Sequence, residues 1–490
     1  DVPPPGKSIT LAMQHVLTMC GSTVAVPLLL GPPMGMSTSQ IAVLISSVML
    51  CSGVATLIQS TVGSRLPIIQ GVSFSFLAAF FMIITTVHGD GSSQQLAEPE
   101  SGAASVMTTG EEVTAGAAMP YIAGAVIVGA ILEIIIGFSG AMGLIRRVLS
   151  PVVVGPVIML IGLALYQAGA PVAASHWPIS ILTVFLIALF SFVMASKGLI
   201  FRLFPMLLAI VVSVAACGLG AMLGWFETGH PARPNLEAFA NSPWVRTTDV
   251  VMPWGLPRFE LGFIVAVAAG YLASMIESFG DYHACKEMAG GGDPTPSEIS
   301  RGIGCEGIGC ALTGVLGGFS STSYSENVGL IGLTKVGSRR VVQIAAVILI
   351  VLGLFGKFGA LAAAIPKPVV GGLYCALFGL ISAVGIRQFA RCDLNSDRNL
   401  FVGGFSLFMG LSVPYYFQNG GAEAVTATFP SGLDAVVNSI GQTGMAVAAI
   451  LGIALDNFIP GTMVERGLVA PDEAAPTSQP VPESMSGESA

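Results

Sequence analysis

The sequence predicts an all-α polytopic membrane protein of about fourteen transmembrane segments, laid out as a seven-plus-seven inverted repeat. Two of these segments, the third and the tenth, are short, broken and contain brief extended strands. Three observations predict this. Of 490 residues, 53% are hydrophobic and 10% charged, with a mean hydropathy of +0.80, whereas a soluble chain carries about 25% charged residues. A motif recurs: Pro151-Val-Val-Val-Gly-Pro-Val opens one apolar run and Pro368-Val-Val-Gly-Gly-Leu-Tyr opens another. Seven segments separate the copies, and an odd number forces them into opposite orientation. Finally, two stretches at matching places in the halves interrupt their apolar runs with polar residues.

The apolar segments fall near 9–29, 40–60, 70–86, 119–142, 151–168, 178–195, 200–224, 261–282, 302–319, 321–336, 341–364, 368–386, 399–417 and 437–459. With the N-terminus cytoplasmic, Lys7, Arg65, Lys197, Lys286, Arg301 and Arg466 are among the basic residues that fall inside. Arg233, Arg246, Arg258 and Lys367 fall outside. Cytoplasmic loops carry the excess of Lys and Arg, so both termini are expected in the cytoplasm of a multi-pass plasma (inner) membrane protein. The polar stretch 88–114 and the tail from Pro471 read as disordered, and 227–256, with Trp244 and Trp254, as partly ordered.

The tenth segment opens Ser320-Ser-Thr-Ser-Tyr-Ser-Glu-Asn-Val-Gly. Its apolar part, Val328–Leu333, is far too short to span, which takes about 20 residues. The third opens Gln70-Gly-Val-Ser-Phe-Ser-Phe, whose alternation of polar and apolar residues suggests an extended piece before a half-helix. Broken elements at membrane depth are tolerated where they line a cavity, and paired ones point to a transporter's binding site.

Carboxylates within a bilayer are functional-site hypotheses, because each costs about 2.5–3.5 kcal/mol there. Glu277 and Asp281 are four apart, on one helix face, and repel; one of them needs a hydrogen-bond partner or a proton. Glu326 and Asn327 open the tenth half-helix. Each either caps that helix or meets a ligand, and a carboxylate can accept two N–H bonds from a planar amide-like molecule. Glu306, among small residues, either bonds the hydroxyls and N–H groups of a broken segment or is purely structural. His15 is either a buried histidine orienting a neighbour or a proton carrier. Phe74 either stacks on a flat ligand or packs. His88, His176, His230 and His283 are given no role.

The eight cysteines form no CxxC pair and read as packing residues rather than metal ligands or disulfides. Gly290-Gly-Gly lacks the Lys and Ser/Thr of a phosphate-binding loop, and neither HExxH nor GxSxG occurs. No enzymatic activity and no cofactor are expected. The acidic loops argue against nucleic acid as a partner.

At these residues the chain resembles the nucleobase–ascorbate transporter family, or nucleobase–cation symporter family 2. The family signature is an acid or amide, Asn, one residue, Gly, four residues and Thr. Here it is Glu326-Asn327-Val328-Gly329 with Thr334. Gln14-His15, Gly71-Val-Ser-Phe74, Glu277 with Asp281, and Glu306 match further family motifs, and the likeness covers roughly 8–460. It implies a core domain (1–145 and 259–365), a gate domain (146–258 and 366–465) and a disordered cytoplasmic tail, 466–490. It also implies a homodimer working by elevator-type alternating access. By resemblance, Glu277 and Glu326 bind a nucleobase, with Phe74, Ser73, Tyr324 and Ser325 contributing stacking or backbone contacts. His15, Asp281, Glu306, Asn327 and Thr334 support the site or coupling. The implied substrate is uracil or an oxopurine such as xanthine or urate, moved with a proton. Members resembling animal vitamin C transporters carry proline at the position of Glu326, yet Lys335-Val-Gly-Ser-Arg-Arg340 is similar to theirs. Sodium-coupled ascorbate transport is therefore the second expectation, and a channel or anion exchanger of the same architecture the third.

Overall fold

A computed structural model describes residues 3–88, 107–108, 111–112, 115–143, 148–248, 250–430 and 433–468. The expected disorder of the tail from Pro471 and of most of 88–114 lies outside them. Chain order runs α1 (Pro5–Leu30), α2 (Thr38–Thr61), β1 (Gln70–Val72), α3 (Leu77–His88), α4 (Met119–Ser139), α5 (Pro151–Ala164), α6 (Tyr166–Ala173), α7 (Trp177–Ala188) and α8 (Pro205–Met222). It continues through α9 (Leu261–Met288), α10 (Pro296–Val315), β2 (Ser321–Ser323), α11 (Ser325–Thr334), α12 (Arg339–Leu354), α13 (Gly356–Ala363), α14 (Lys367–Phe389), α15 (Asp397–Tyr416), α16 (Leu433–Gln442) and α17 (Gly444–Phe458). Single-turn pieces join some of these. The stretch 227–256 includes a short helix, Glu237–Asn241, and Trp254 Nε1 donates to Gly317 O at 3.0 Å.

Local chemistry explains the boundaries. Capping boxes open α2 (Ser37 with Gln40) and α10 (Thr295 with Glu298), each satisfying two orphan N–H groups. At the α10 cap Lys286 Nζ also meets Glu298 at 2.7 Å, tying the end of α9 to the start of α10. Burial pushes the Glu298 carboxyl slightly up, but bonds from Lys286 and Thr295 outweigh it and hold the group at about 2.

Eight helical stretches among the described residues are long and apolar enough to cross a membrane. The segments near 151–168 and 178–195 count together as one stretch, Pro151–Val193, and the other five differences from fourteen have physical causes. At 12 and 10 residues, α3 and α11 are half-spans, about 18 and 15 Å at 1.5 Å per residue. α10 is diluted by Glu298, Arg301 and Glu306. The stretch 341–364 breaks at Phe355 into α12 and α13. The stretch 437–459 is a bent pair, Val436–Gln442 and Gly444–Phe458, turning through 95°. At the bend Gly444 crosses Gly410 so closely that a Cβ would lie 2.2 Å from the Gly410 carbonyl.

The most extensive helix contacts fall into two groups. In one, α4 packs on α10 and α9, α2 on α12, α13 and α10, and α1 on α12. In the other, α14 packs on α5, α6 and α7, and α15 and α17 on each other and on α5. The two helices that carry the repeated Pro-Val-Val motif are direct neighbours and run antiparallel: Gly155 lies against Phe389, and Gly162 against Ser382 and Phe378. Asp456, fully buried, knits the second group. It accepts from Ser150 at 2.8 Å and pairs with Arg398 at 2.9 Å and Arg466 at 2.6 Å.

Candidate binding site between two half-helices

β1 and β2 pair antiparallel, with Gln70 opposite Ser323, Gly71 opposite Thr322 and Val72 opposite Ser321. Ser73 N donates to Ser320 O at 2.9 Å and Tyr324 N to Ile69 O at 3.0 Å, extending the ladder at both ends. Each strand leads into a half-helix: β1 through the turn Phe74–Phe76 into α3, and β2 directly into α11. Two helix N-termini, with unsatisfied N–H groups and the positive ends of their dipoles, therefore start from one strand pair. Tyr324 braces the junction. Its ring covers Gly71, where a Cβ would fall 2.6 Å from Cζ, and its buried hydroxyl donates to Val72 O at 2.9 Å.

α9 runs alongside and presents its acids to this junction. Ser75 Oγ donates to Glu277 Oε2 at 3.5 Å, and Ser325 Oγ to Asp281 Oδ1 at 2.8 Å. Glu277 is half-buried and stands in the field of Asp281 and Glu326. Glu326 and Ser325 are exposed, although Asn327 and Val328 beside them are buried. Phe74 is half-buried. Residues from the third stretch, the eighth and the tenth thus gather within reach of one another.

Glu306 lies deeper and accepts a complete set of bonds. Ser278 Oγ donates to Oε1 at 2.7 Å, with Ser274 Oγ at 3.4 Å; Tyr282 OH donates to Oε2 at 3.0 Å, with Gln70 Nε2 at 3.5 Å. Gln59 Nε2 in turn donates to Tyr282 OH at 2.6 Å, and Gln70 Nε2 to Ser323 Oγ at 3.0 Å. Its carboxylate therefore bonds hydroxyls, and it fastens α9, α10 and the strand pair together.

Several expected residues have other places. Asn327 does not cap α11, whose N-cap, Tyr324, makes no side-chain cap bond. Instead Asn327 Nδ2 lies 2.9 Å from His15 O and 3.1 Å from His15 Nδ1, tying the buried His15 to the first turn of α11. The Ser73 hydroxyl accepts from Ser75 N at 3.3 Å and caps the turn before α3. Thr334 Oγ1 bonds Leu330 O at 2.9 Å within its own helix. Eight residues beyond Glu326, it lies about 12 Å further along the axis. All eight cysteines are free thiols. Two cavities, of about 540 Å³ (including Gln40, Trp254 and Arg258) and about 170 Å³ (including Ser46 and Arg246), lie apart from every one of these acids.

Ser278, Tyr282, Gln59 and Gln70 were not foreseen. Ser278 and Tyr282 follow Glu277 and Asp281 directly, so the helix that carries these two acids also carries the donors for Glu306. Glu133, in Ala130-Ile-Leu-Glu-Ile-Ile-Ile, was also missed, although a lone acid in an apolar run is the same signal that marks Glu277.

Comparison with known proteins adds a family. The Xan_ur_permease model, described as a permease family, matches residues 6–419. The chain is 38% identical over 496 residues to solute carrier family 23 member 2 of Rattus norvegicus, covering 96% of this chain and 75% of that one. It is 34% identical to nucleobase-ascorbate transporter 2 of Arabidopsis thaliana, covering 95% and 89%. Among solved structures, the murine solute carrier 26 family member A9 anion transporter in its inward-facing state is similar at a TM-score of 0.51. Identity there is 13%, over 92% of this chain and 67% of that one; this likeness concerns the fold alone.

Proposed function

The chain belongs to the Xan_ur_permease family, with the nucleobase–ascorbate transporters, and from that premise we propose that this multi-pass membrane transporter carries a nucleobase together with a proton. Uracil or an oxopurine such as xanthine or urate is the substrate. The observation that carries this reading is the placing of Glu277 and Glu326 around one junction, where Ser75 bonds Glu277 and Ser325, next to Glu326, bonds Asp281. Glu277 comes from a full-length helix and Glu326 from the first turn of a half-helix, and the Glu326 side chain is left open to a ligand. Two carboxyl groups facing a flat heterocycle accept its N–H edges, and the half-buried Phe74 offers a ring face for stacking. The N-termini of α3 and α11 add dipoles that favour the electron-rich carbonyl edge of such a base.

The two packing groups support an elevator: the strand pair, the acids and α1–α4 with α9–α13 as a moving core, and α5–α8 with α14–α17 as the gate. The antiparallel pairing of β1 with β2, and of α5 with α14, supports the seven-plus-seven inverted repeat behind it. Both termini face the cytoplasm of the plasma membrane, and the working unit is a homodimer.

Sodium-coupled ascorbate transport is the second reading, favoured by the 38% identity to solute carrier family 23 member 2. Glu326 opposes it, since an anionic ligand would meet a carboxylate. A thermal-shift panel of uracil, xanthine, urate, adenine and ascorbate, with and without sodium, tests the choice. Stabilisation by a base without sodium is expected; stabilisation by ascorbate with sodium alone overturns it.

A further inference from the structure

α4 contributes an acid outside the site described above. Glu133 is fully buried, and neither of its carboxyl oxygens has a hydrogen-bond partner among the described residues. The carboxyl lies beside the Cys310 thiol of α10 and in the field of Glu306. The helices close tightly over this place. A Cβ on Gly129, one turn before Glu133, would lie 2.3 Å from the Tyr271 ring, and one on Gly307 would lie 2.8 Å from the Ile134 side chain.

An ionised carboxylate without donors in such an interior costs several kcal/mol, and a second beside it adds repulsion. Glu133 and Glu306 together therefore require one compensating positive charge. Glu306 has donors for its anionic form in Ser278 and Tyr282. Glu133 has at most the weak Cys310 S–H, which already lies 3.2 Å from Ser321 O, so the charge belongs on Glu133. A bare metal ion needs a shell of oxygen ligands. Besides Glu306, the polar groups near Glu133 are the Cys310 thiol, the Tyr282 hydroxyl, which donates to Glu306, and the Tyr271 hydroxyl, already committed to Val126 O at 2.8 Å and to Ser320 Oγ at 2.9 Å. A proton needs a single oxygen.

We infer that Glu133 and Glu306 form a proton-binding pair behind the substrate crevice, and that the proton travelling with the ligand rides on Glu133 rather than on Glu277 or Glu326. This rests on the proton-coupled reading of the transporter. The ionisable groups facing Glu133 are Glu306 and Cys310 from α10, and Tyr271 and Tyr282 from α9; α3 carries only His88, at its last residue. Exchange with the crevice follows existing hydroxyls. Glu306 bonds Ser278, which lies 3.1 Å from both Thr322 Oγ1 and Ser323 Oγ on β2, two strand residues from Ser325. The step is a proton transfer alone: it leaves a Glu133 oxygen, is taken up by the Glu306 carboxylate, and no other bond changes.

Glu133→Gln supplies a neutral side chain of the same shape, and Glu133→Asp keeps the acid as a second variant, with thermal melting reporting that each is folded. Infrared difference spectra of the purified full-length protein across pH should show a protonated-carboxyl C=O band that is lost in Glu133→Gln and kept, shifted, in Glu133→Asp. In proteoliposomes given a xanthine or uracil gradient, Glu133→Gln should move at least about tenfold less proton per base than the parent. A carboxyl band that persists unchanged in Glu133→Gln, or an unaltered proton-to-base ratio, overturns the assignment. Should the parent carry no base, the transport reading falls by itself. The band's presence in the parent and loss in Glu133→Gln would then uphold the protonated pair, and its persistence would refute it.

Discussion

Asn327 and His15, 312 positions apart, are joined twice: the Asn327 amide nitrogen lies 2.9 Å from the His15 carbonyl and 3.1 Å from its ring Nδ1. Both residues are buried. The contact anchors the first turn of α11, and with it the neighbouring Glu326, to α1. Asn327→Ala leaves the buried His15 acceptors unmet, an expected loss of about 1–3 kcal/mol, read as a lower melting temperature. Asn327→Asp keeps the volume and exchanges a donor for a charge, and should impair uptake at least as strongly. Uptake and stability like the parent's in both variants would show that the tether does not matter.

Glu277→Gln and Glu326→Gln should each lower uptake of the cognate base by about tenfold or more, a change of about 1.4 kcal/mol in binding, while expression is retained. Saturation uptake curves beside surface-expression blots check this. Ordinary uptake by either variant removes that carboxyl from the proposed grip.

Gly71 has no room for a side chain beneath the Tyr324 ring. Gly71→Ala must push that ring and its bond to Val72 aside, at about 1–3 kcal/mol for an overpacked site. Reduced thermal stability and reduced uptake are expected together. Because Tyr324→Phe removes the bond but keeps the ring, it should be the milder change in a side-by-side melt.

The Lys286–Glu298 clamp has a defined pH window. The Glu298 carboxyl is held at about 2, below its ordinary value, so its stabilisation is present above the unfolded-state value and is lost only as pH falls through about 2. Lys286→Met should therefore lower the melting temperature equally at about pH 5.5 and about pH 8. A pH-dependent transport rate in that range must come from elsewhere, and a Lys286→Met defect that grows toward neutral pH would contradict the assignment.

The broken stretches were legible because their polar residues stand out against an apolar background. Gln70-Gly-Val-Ser alternates, and Ser320-Ser-Thr-Ser places four hydroxyls in a row where hydrocarbon surrounds them. The acids Glu277, Asp281 and Glu326 were legible for the same reason. What was hidden depends on distance through space. No local pattern pairs Asn327 with His15, or assigns the hydroxyls of Ser278 and Tyr282 to Glu306 on the next helix. Thr334, given a supporting role by resemblance, ends α11 eight positions beyond Glu326, and its hydroxyl bonds Leu330 O within its own helix. The bend at Thr443 was hidden because the residue that Gly444 packs against there, Gly410, lies on another helix.

The register of Gln70 against Ser323 has a mechanical corollary. The jaws that would close on a cargo are stitched together at their roots, so neither can swing without dragging the other. In the elevator proposed above, both jaws would travel as a single piece and slide along the seam with α5, α14, α16 and α17.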